Sequence, residues 1–125
     1  MNPKDILDKY YHFAVIGVSL NKEKYGYKIY NRLKDRGYDV YGVSPIYDHI
    51  DEDKLYPSLE SIPHPIDVVV FVVNKNYAYE YVDEMVGLGI HYAWMQPHTY
   101  DDELLKYMRN VGITPILACV LVETM

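Results

Sequence analysis

Cysteine is nearly absent: Cys119 is the only one in 125 residues. No intrachain disulfide can form and a metal site built on paired cysteines is excluded, which fits a reducing, cytoplasmic setting. Long apolar runs are missing too. Met1 to Tyr11 alternates Lys and Asp with apolar side chains, so neither a signal peptide nor a membrane-spanning helix is expected. Positive charge is also scarce, with 12 Lys and Arg against 18 Asp and Glu and a net charge of −6. Nucleic acid is therefore not an expected partner, because a phosphate footprint needs a clustered positive surface.

The basic residues that do occur are unevenly placed. Lys22, Lys24, Lys28, Arg32, Lys34 and Arg36 crowd one stretch, against only Glu23 and Asp35. The plain reading is a solvated helix face; the sharper one sets Lys22, Lys24 and Lys28 beside a phosphate site, where they raise the local anion concentration. Aromatic usage is lopsided, with 15 Tyr, two Phe and one Trp. Tyr77, Tyr79 and Tyr81 read as amphipathic packing with the hydroxyl in water. Exposed tyrosines also offer a self-association surface, which leaves a homodimer open.

Half of the residues are apolar or aromatic, enough for one core, and the chain reads as a single domain over residues 1–125. Strand and helix patterns alternate throughout, the mark of a parallel sheet covered on both faces. A short helix is expected after Asn2-Pro3, then a buried strand at Phe13 to Val18. A helix from Gly26 to Arg36 follows, with Ile29, Tyr30 and Leu33 on one face and Gly37 as its stop. Asp39 to Val43 is the second strand, ended by Ser44-Pro45. Ile46 to Tyr56 reads as a polar, acidic loop or edge excursion, and Ser58 to Ile62 as a short helix.

Asp67 to Val73, with five valines and a Phe, is the most strongly β-forming stretch. Asn76 is placed as the cap of a helix running to Leu88. His91 to Met95 is a fourth strand, Thr99 with Asp102 a capping box for the last helix, and Thr114 to Val122 a fifth strand. Short connections and right-handed crossovers give an α/β, Rossmann-like doubly wound fold. By fold analogy its five parallel strands are expected in the order 3-2-1-4-5, with helices on both faces.

In such a sheet the ligand crevice lies beyond the carboxyl ends of the strands, where the chain reverses direction across the sheet. Gly17 follows the first strand directly, where a missing side chain lets a pyrophosphate approach, and Ser19 adds a hydroxyl. Gly26 opens the next helix, whose free N–H groups favour an anion. A dinucleotide site calls for G-x-G-x-x-G and an acid at the end of the second strand. This chain has Gly17-Val18-Ser19, a long gap to Gly26, and Ser44-Pro45. It also lacks G-x-x-x-x-G-K-[ST], which excludes an ATP-hydrolysing loop of that type.

Those features together resemble the small stand-alone CoA-binding domain proteins. They are similar also to the CoA-binding domain of succinyl-CoA synthetase alpha subunits and of ADP-forming acyl-CoA synthetases. The matching stretches are Val15 to Pro45, Leu55 to Val73, Trp94 to Gln96, and Cys119 near the end of the last strand. The resemblance implies that coenzyme A or an acyl-CoA lays its pyrophosphate over Gly17, Val18, Ser19 and the helix start Gly26-Tyr27-Lys28, with Lys22 nearby. Its adenine end would rest near Ser44, Pro45 and the segment Val73-Asn74-Lys75. Gln96 would flank the pantetheine, with His98 facing the crevice. The chain departs from the family pattern at Gly26, where many members carry Ser, at Asn74, where Arg is common, and at Pro97-His98.

No catalytic constellation is legible. The histidines at 12, 49, 64, 91 and 98 form no helical metal pair, and no metal site is expected. Cys119 reads as a buried packing residue. The expected function is non-catalytic binding of coenzyme A, as a sensor or accessory module. The alternatives are an NAD(P)- or CoA-dependent enzyme using His98 or Cys119, and an interaction domain that has lost its ligand. A Gly17→Val substitution is expected to fill the phosphate position and leave the fold largely intact.

Overall fold

The computed structural model describes residues 1–125. Its elements are α1 (Pro3–Lys9), β1 (His12–Ile16), α2 (Tyr25–Asp35), β2 (Asp39–Val43), β3 (His49–Ile50), β4 (Asp53–Tyr56), β5 (Val68–Phe71), α3 (Lys75–Leu88), β6 (Tyr92–Met95), α4 (Asp102–Asn110), β7 (Thr114–Leu117) and α5 (Val120–Glu123). Successive side chains of β1 point to opposite faces. Ala14 and Ile16 join a cluster with Ala78, Val82, Met85, Leu104 and Met108 of α3 and α4. Phe13 and Val15 join one with Ile6, Ile29, Leu33 and Val120 of α1, α2 and α5. A strand buried on both faces needs such an uninterrupted apolar run, and β1 and β5 supply it. No helix is long and apolar enough to cross a membrane.

The sheet has seven strands in the order β3-β4-β2-β1-β5-β6-β7, which corrects the expected count and order. The stretch read as a loop or edge excursion folds as a hairpin: β3 and β4 pair antiparallel, and β4 continues the sheet in parallel with β2. Gly42 makes this possible, because a Cβ there would lie 2.5 Å from the Leu55 side chain. The hairpin is fastened to α2 by the Tyr30 hydroxyl, which donates to Asp53 at 2.9 Å, and by the Lys34–Asp53 ion pair. Lys34 holds the Asp53 carboxyl below the usual aspartate range, and burial pushes the Tyr30 hydroxyl up. Counted among the six parallel strands, β4 takes the third position. The strand at Val68–Phe71 then pairs with β1 on the side away from β2, so the reversal of direction falls between β1 and β5.

Several element ends also differ from expectation. β1 stops at Ile16 and Gly17 turns with φ 95°. Ser58 to Ser61 is a turn, in which Glu84 of α3 accepts the N–H groups of Leu59 and Glu60 at 3.1 and 3.0 Å. Those donors are captured by a carboxylate rather than by a helix. Asn74, not Asn76, caps α3, accepting from the Asn76 N–H at 2.9 Å. Asp101 caps α4, while the Thr99 hydroxyl donates to the Gln96 carbonyl at 2.6 Å. β7 ends at Leu117, and the residues after it break away into α5.

Candidate functional site

The carboxyl ends of β1, β5 and β6 open into one cavity of about 660 Å³. At its floor the β1–α2 turn and the start of α2 are pressed together. A Cβ on Gly26 would lie 2.1 Å from the Gly17 carbonyl oxygen and 3.0 Å from the Ser19 nitrogen, so only glycine permits this approach. The N–H groups of Val18, Ser19, Tyr25 and Gly26 find no main-chain acceptor. Helix starts leave such donors unpaired and carry the positive end of the dipole. The four residues line one cavity together with Lys24, at the N-cap of α2. Unpaired amides at a helix start are a setting that favours an anion.

The far wall is built from β6. Trp94 Nε1 donates to the Ala118 carbonyl at 3.0 Å and the Val120 N–H donates to Gln96 Oε1 at 2.7 Å. These two bonds bracket Cys119 and hold it in the wall. The W-x-Q sequence thereby acquires a physical reading: a polar side chain of β6 and one just past its end pin the segment that leaves the neighbouring strand. Cys119, expected to be a buried packing residue, is instead half-buried and lines the cavity, because the strand ends two residues before it. His98 also lines it, with φ 70°.

Of the residues singled out from sequence, Gly17, Val18, Ser19, Gly26, Val73, Asn74, Gln96 and His98 line this cavity. The others lie elsewhere. Lys22, Tyr27 and Lys28 border a separate shallow groove on α2 with Arg32, and the Tyr27 hydroxyl donates to Asp51 at 3.0 Å. Ser44 is buried, its hydroxyl oxygen accepting from the Ile46 and Tyr47 N–H groups. Pro45 borders a different depression, near Pro57. Lys75 is paired with Asp101 at 3.0 Å, which raises the pKa of its ammonium. The Leu104 N–H, and then Lys75, hold the Asp101 carboxyl low.

Glu23, Tyr25 and Pro97, within the segments expected at the crevice, also line the cavity, and sequence reasoning passed over Tyr47, Val72, Tyr77 and Thr99 as site residues. Tyr77 had a readable signal, since the first turn of the helix after the third strand faces the same crevice as that of α2. Tyr47 is carried there by the turn that Ser44 caps. The expectation for Gly17→Val is corrected. A Cβ there would lie 2.9 Å from the carbonyl carbon and oxygen of Val72, on a backbone at φ 95°. The substitution strikes the β1–β5 junction and strains the turn, so it reports on folding before it reports on phosphate space.

The family model described as "CoA binding domain" matches residues 11–125. The chain belongs to the CoA-binding domain family. It is 40% identical over 77 residues to an ADP-forming acetate-CoA ligase of Methanocaldococcus jannaschii, covering 62% of this chain and 11% of the ligase. It is 25% identical over 114 residues to the uncharacterized protein YneT of Bacillus subtilis, covering 91% and 84% of the two chains. A solved structure of a hypothetical protein from Pyrococcus horikoshii OT3 superposes with a TM-score of 0.90 at 32% identity, over 96% of this chain and 85% of that one. The chain spans between 11% and 17% of the ADP-forming acetate-CoA ligases it matches.

Proposed function

We propose that this domain binds coenzyme A or an acyl-CoA in the cavity at the β1–β5 junction without turning it over, and serves as a sensor or accessory module. One observation carries the reading: four residues of the Gly17 turn and the α2 start whose N–H groups have no main-chain acceptor line one cavity with Lys24. These groups would hold the diphosphate. The apolar lining of Val72, Val73, Tyr47, Tyr77 and Pro97 suits the adenine or the pantetheine arm.

Thermal unfolding tests this. Coenzyme A at 100 times its dissociation constant stabilises by roughly 2.7 kcal/mol, a rise of several degrees for a domain of this size. NAD and ATP leave the midpoint unchanged. A flat response to coenzyme A, or an equal response to all three, refutes the proposal. A second reading, CoA-dependent acyl transfer, is favoured by the presence of His98 and Cys119 in one cavity. It predicts release of free coenzyme A from acetyl-CoA and an acyl mass adduct on Cys119.

A further inference from the structure

The end of the sheet opposite the cavity carries a second set of chemically capable side chains. His12 opens β1, Asp39 opens β2, and His64 sits in the connection that leads into β5. Asp39 and His64 lie 27 and 52 positions beyond His12, and the parallel pairing of His12 with Asp39 brings the first two side by side. His12 Nδ1 and Asp39 Oδ2 are 2.8 Å apart, with both side chains about one-third exposed. The His12 and His64 rings lie 4.1 Å apart, centroid to centroid. Ligand atoms of all three residues fall within 4.8 Å of one another.

We propose that His12, Asp39 and His64 form a site for one divalent transition cation of the Zn²⁺ class. Tetrahedral zinc with bonds near 2.0–2.1 Å sets its ligands roughly 3.4 Å apart, a spacing that the 2.8 Å contact and the 4.8 Å limit bracket. Ligation requires the packed His12 and His64 rings to rotate until their in-plane nitrogen lone pairs meet at one point. The cation takes the place of the proton between His12 Nδ1 and Asp39 Oδ2, and that proton leaves to solvent. His64 contributes Nε2, because its Nδ1 already faces the Pro65 carbonyl at 2.7 Å, the outer bond that orients a ligating imidazole. Water fills the fourth position.

The loop is stiffened for this purpose. Pro63 and Pro65 flank His64, fixing two φ angles and restricting the histidine between them. Asp67 ties the loop to β1 by accepting from the His12 N–H at 3.3 Å and donating its own N–H to the His12 carbonyl at 3.0 Å. Two imidazoles and one carboxylate suit zinc and its neighbours and disfavour Mg²⁺ and Ca²⁺, which prefer all-oxygen sets. The bound ion would clip the starts of β1 and β2 to the β4–β5 connection.

The test is competition for Zn²⁺ between the chelator-stripped full chain and a chromophoric chelator. The parent is expected to bind one equivalent. His64→Ala and Asp39→Asn each remove a direct ligand and should weaken binding by more than the roughly 10- to 100-fold that loss of an outer-shell partner costs, while His49→Ala leaves it unchanged. Co²⁺ should give the visible spectrum of a tetrahedral site in the parent and lose it in His64→Ala. His64 lies on an exposed loop, so that variant keeps its fold, as circular dichroism would verify. No binding by the parent at tenfold excess Zn²⁺, or binding undiminished in His64→Ala, overturns the proposal.

Discussion

Gly26→Ala is the sharpest test of how the turn and the helix build the cavity. In the present backbone the new methyl would lie 2.1 Å from the Gly17 oxygen, whereas real Cβ contacts rarely fall below 3.0–3.4 Å. The start of α2 must therefore retreat from the turn by about 1 Å. Overpacking of this kind costs roughly 1–3 kcal/mol, offset by up to ~1 kcal/mol from the better helix propensity of alanine. The net loss is about 1–2 kcal/mol, a fall of roughly 3–8 °C in midpoint. Moving the Gly26 and Tyr25 donors by that distance loses about one charge-assisted hydrogen bond to the diphosphate, worth ~1.5–3 kcal/mol. Coenzyme A affinity should drop on the order of 10- to 100-fold.

Gly87→Ala is the matched control. It sits in α3, where no atom lies within 4 Å of an added Cβ, so it should stabilise by about 0.5–1 kcal/mol through propensity alone. Urea unfolding and calorimetric titration with coenzyme A on both variants complete the comparison. A Gly26→Ala protein that melts within a degree of the parent and binds coenzyme A equally well refutes the close-approach reading.

Lys24→Gln should leave the melting midpoint in place while lowering coenzyme A affinity and flattening its dependence on salt, because a screened cation is what it removes; titrations at two ionic strengths read this directly. Asp53 has a folded pKa held below its ordinary value of 3.8, first by Lys34 and then by Tyr30. Its contribution is complete above that value and is lost as pH falls through the lower folded one. Stability curves of the parent and Asp53→Asn should therefore differ at pH 7 and converge once pH has fallen below the lowered folded pKa of Asp53. A constant gap across that range would sink the assignment.

The fold was legible where one side-chain pattern answered to one cause. Phe13 to Ile16 and Val68 to Phe71 read as central strands because burial on both faces leaves no room for a polar residue, and they pair in the sheet centre. The β3–β4 hairpin was not legible. Only Ile50 and Leu55 are buried in it, and its position depends on Gly42, Tyr30 and Lys34, none of them local. Missing that strand displaced the expected strand order, since β4 occupies the place assigned to a later one. Both caps slipped by two residues for a related reason. Asn74 and Asp101 hold side-chain oxygens where Asn76 and Thr99 offered them too, and local propensity does not choose between neighbours of the same chemistry.

The site divides along the same line. Backbone donors could be placed from sequence, because glycine and a helix start state a requirement of the main chain, and Gly17, Ser19 and Gly26 do meet in one cavity. Long cations could not. Lys24, at the N-cap of α2, lines the cavity, whereas Lys22, in the turn before the helix, and Lys28 border the separate groove. Lys24 and Lys28 are four positions apart, a spacing that shares a face inside a helix, and they part because Lys24 holds the extended N-cap conformation instead of the helical one, so the basic run divides its charge between two surfaces. Lys75 followed its nearest carboxylate, Asp101, rather than the crevice. Of the basic residues singled out from sequence, Lys24 is the one that lines the cavity. If that cavity holds the diphosphate as proposed, a single exposed cation adds its attraction to that of the main-chain amides, so salt should weaken binding without abolishing it.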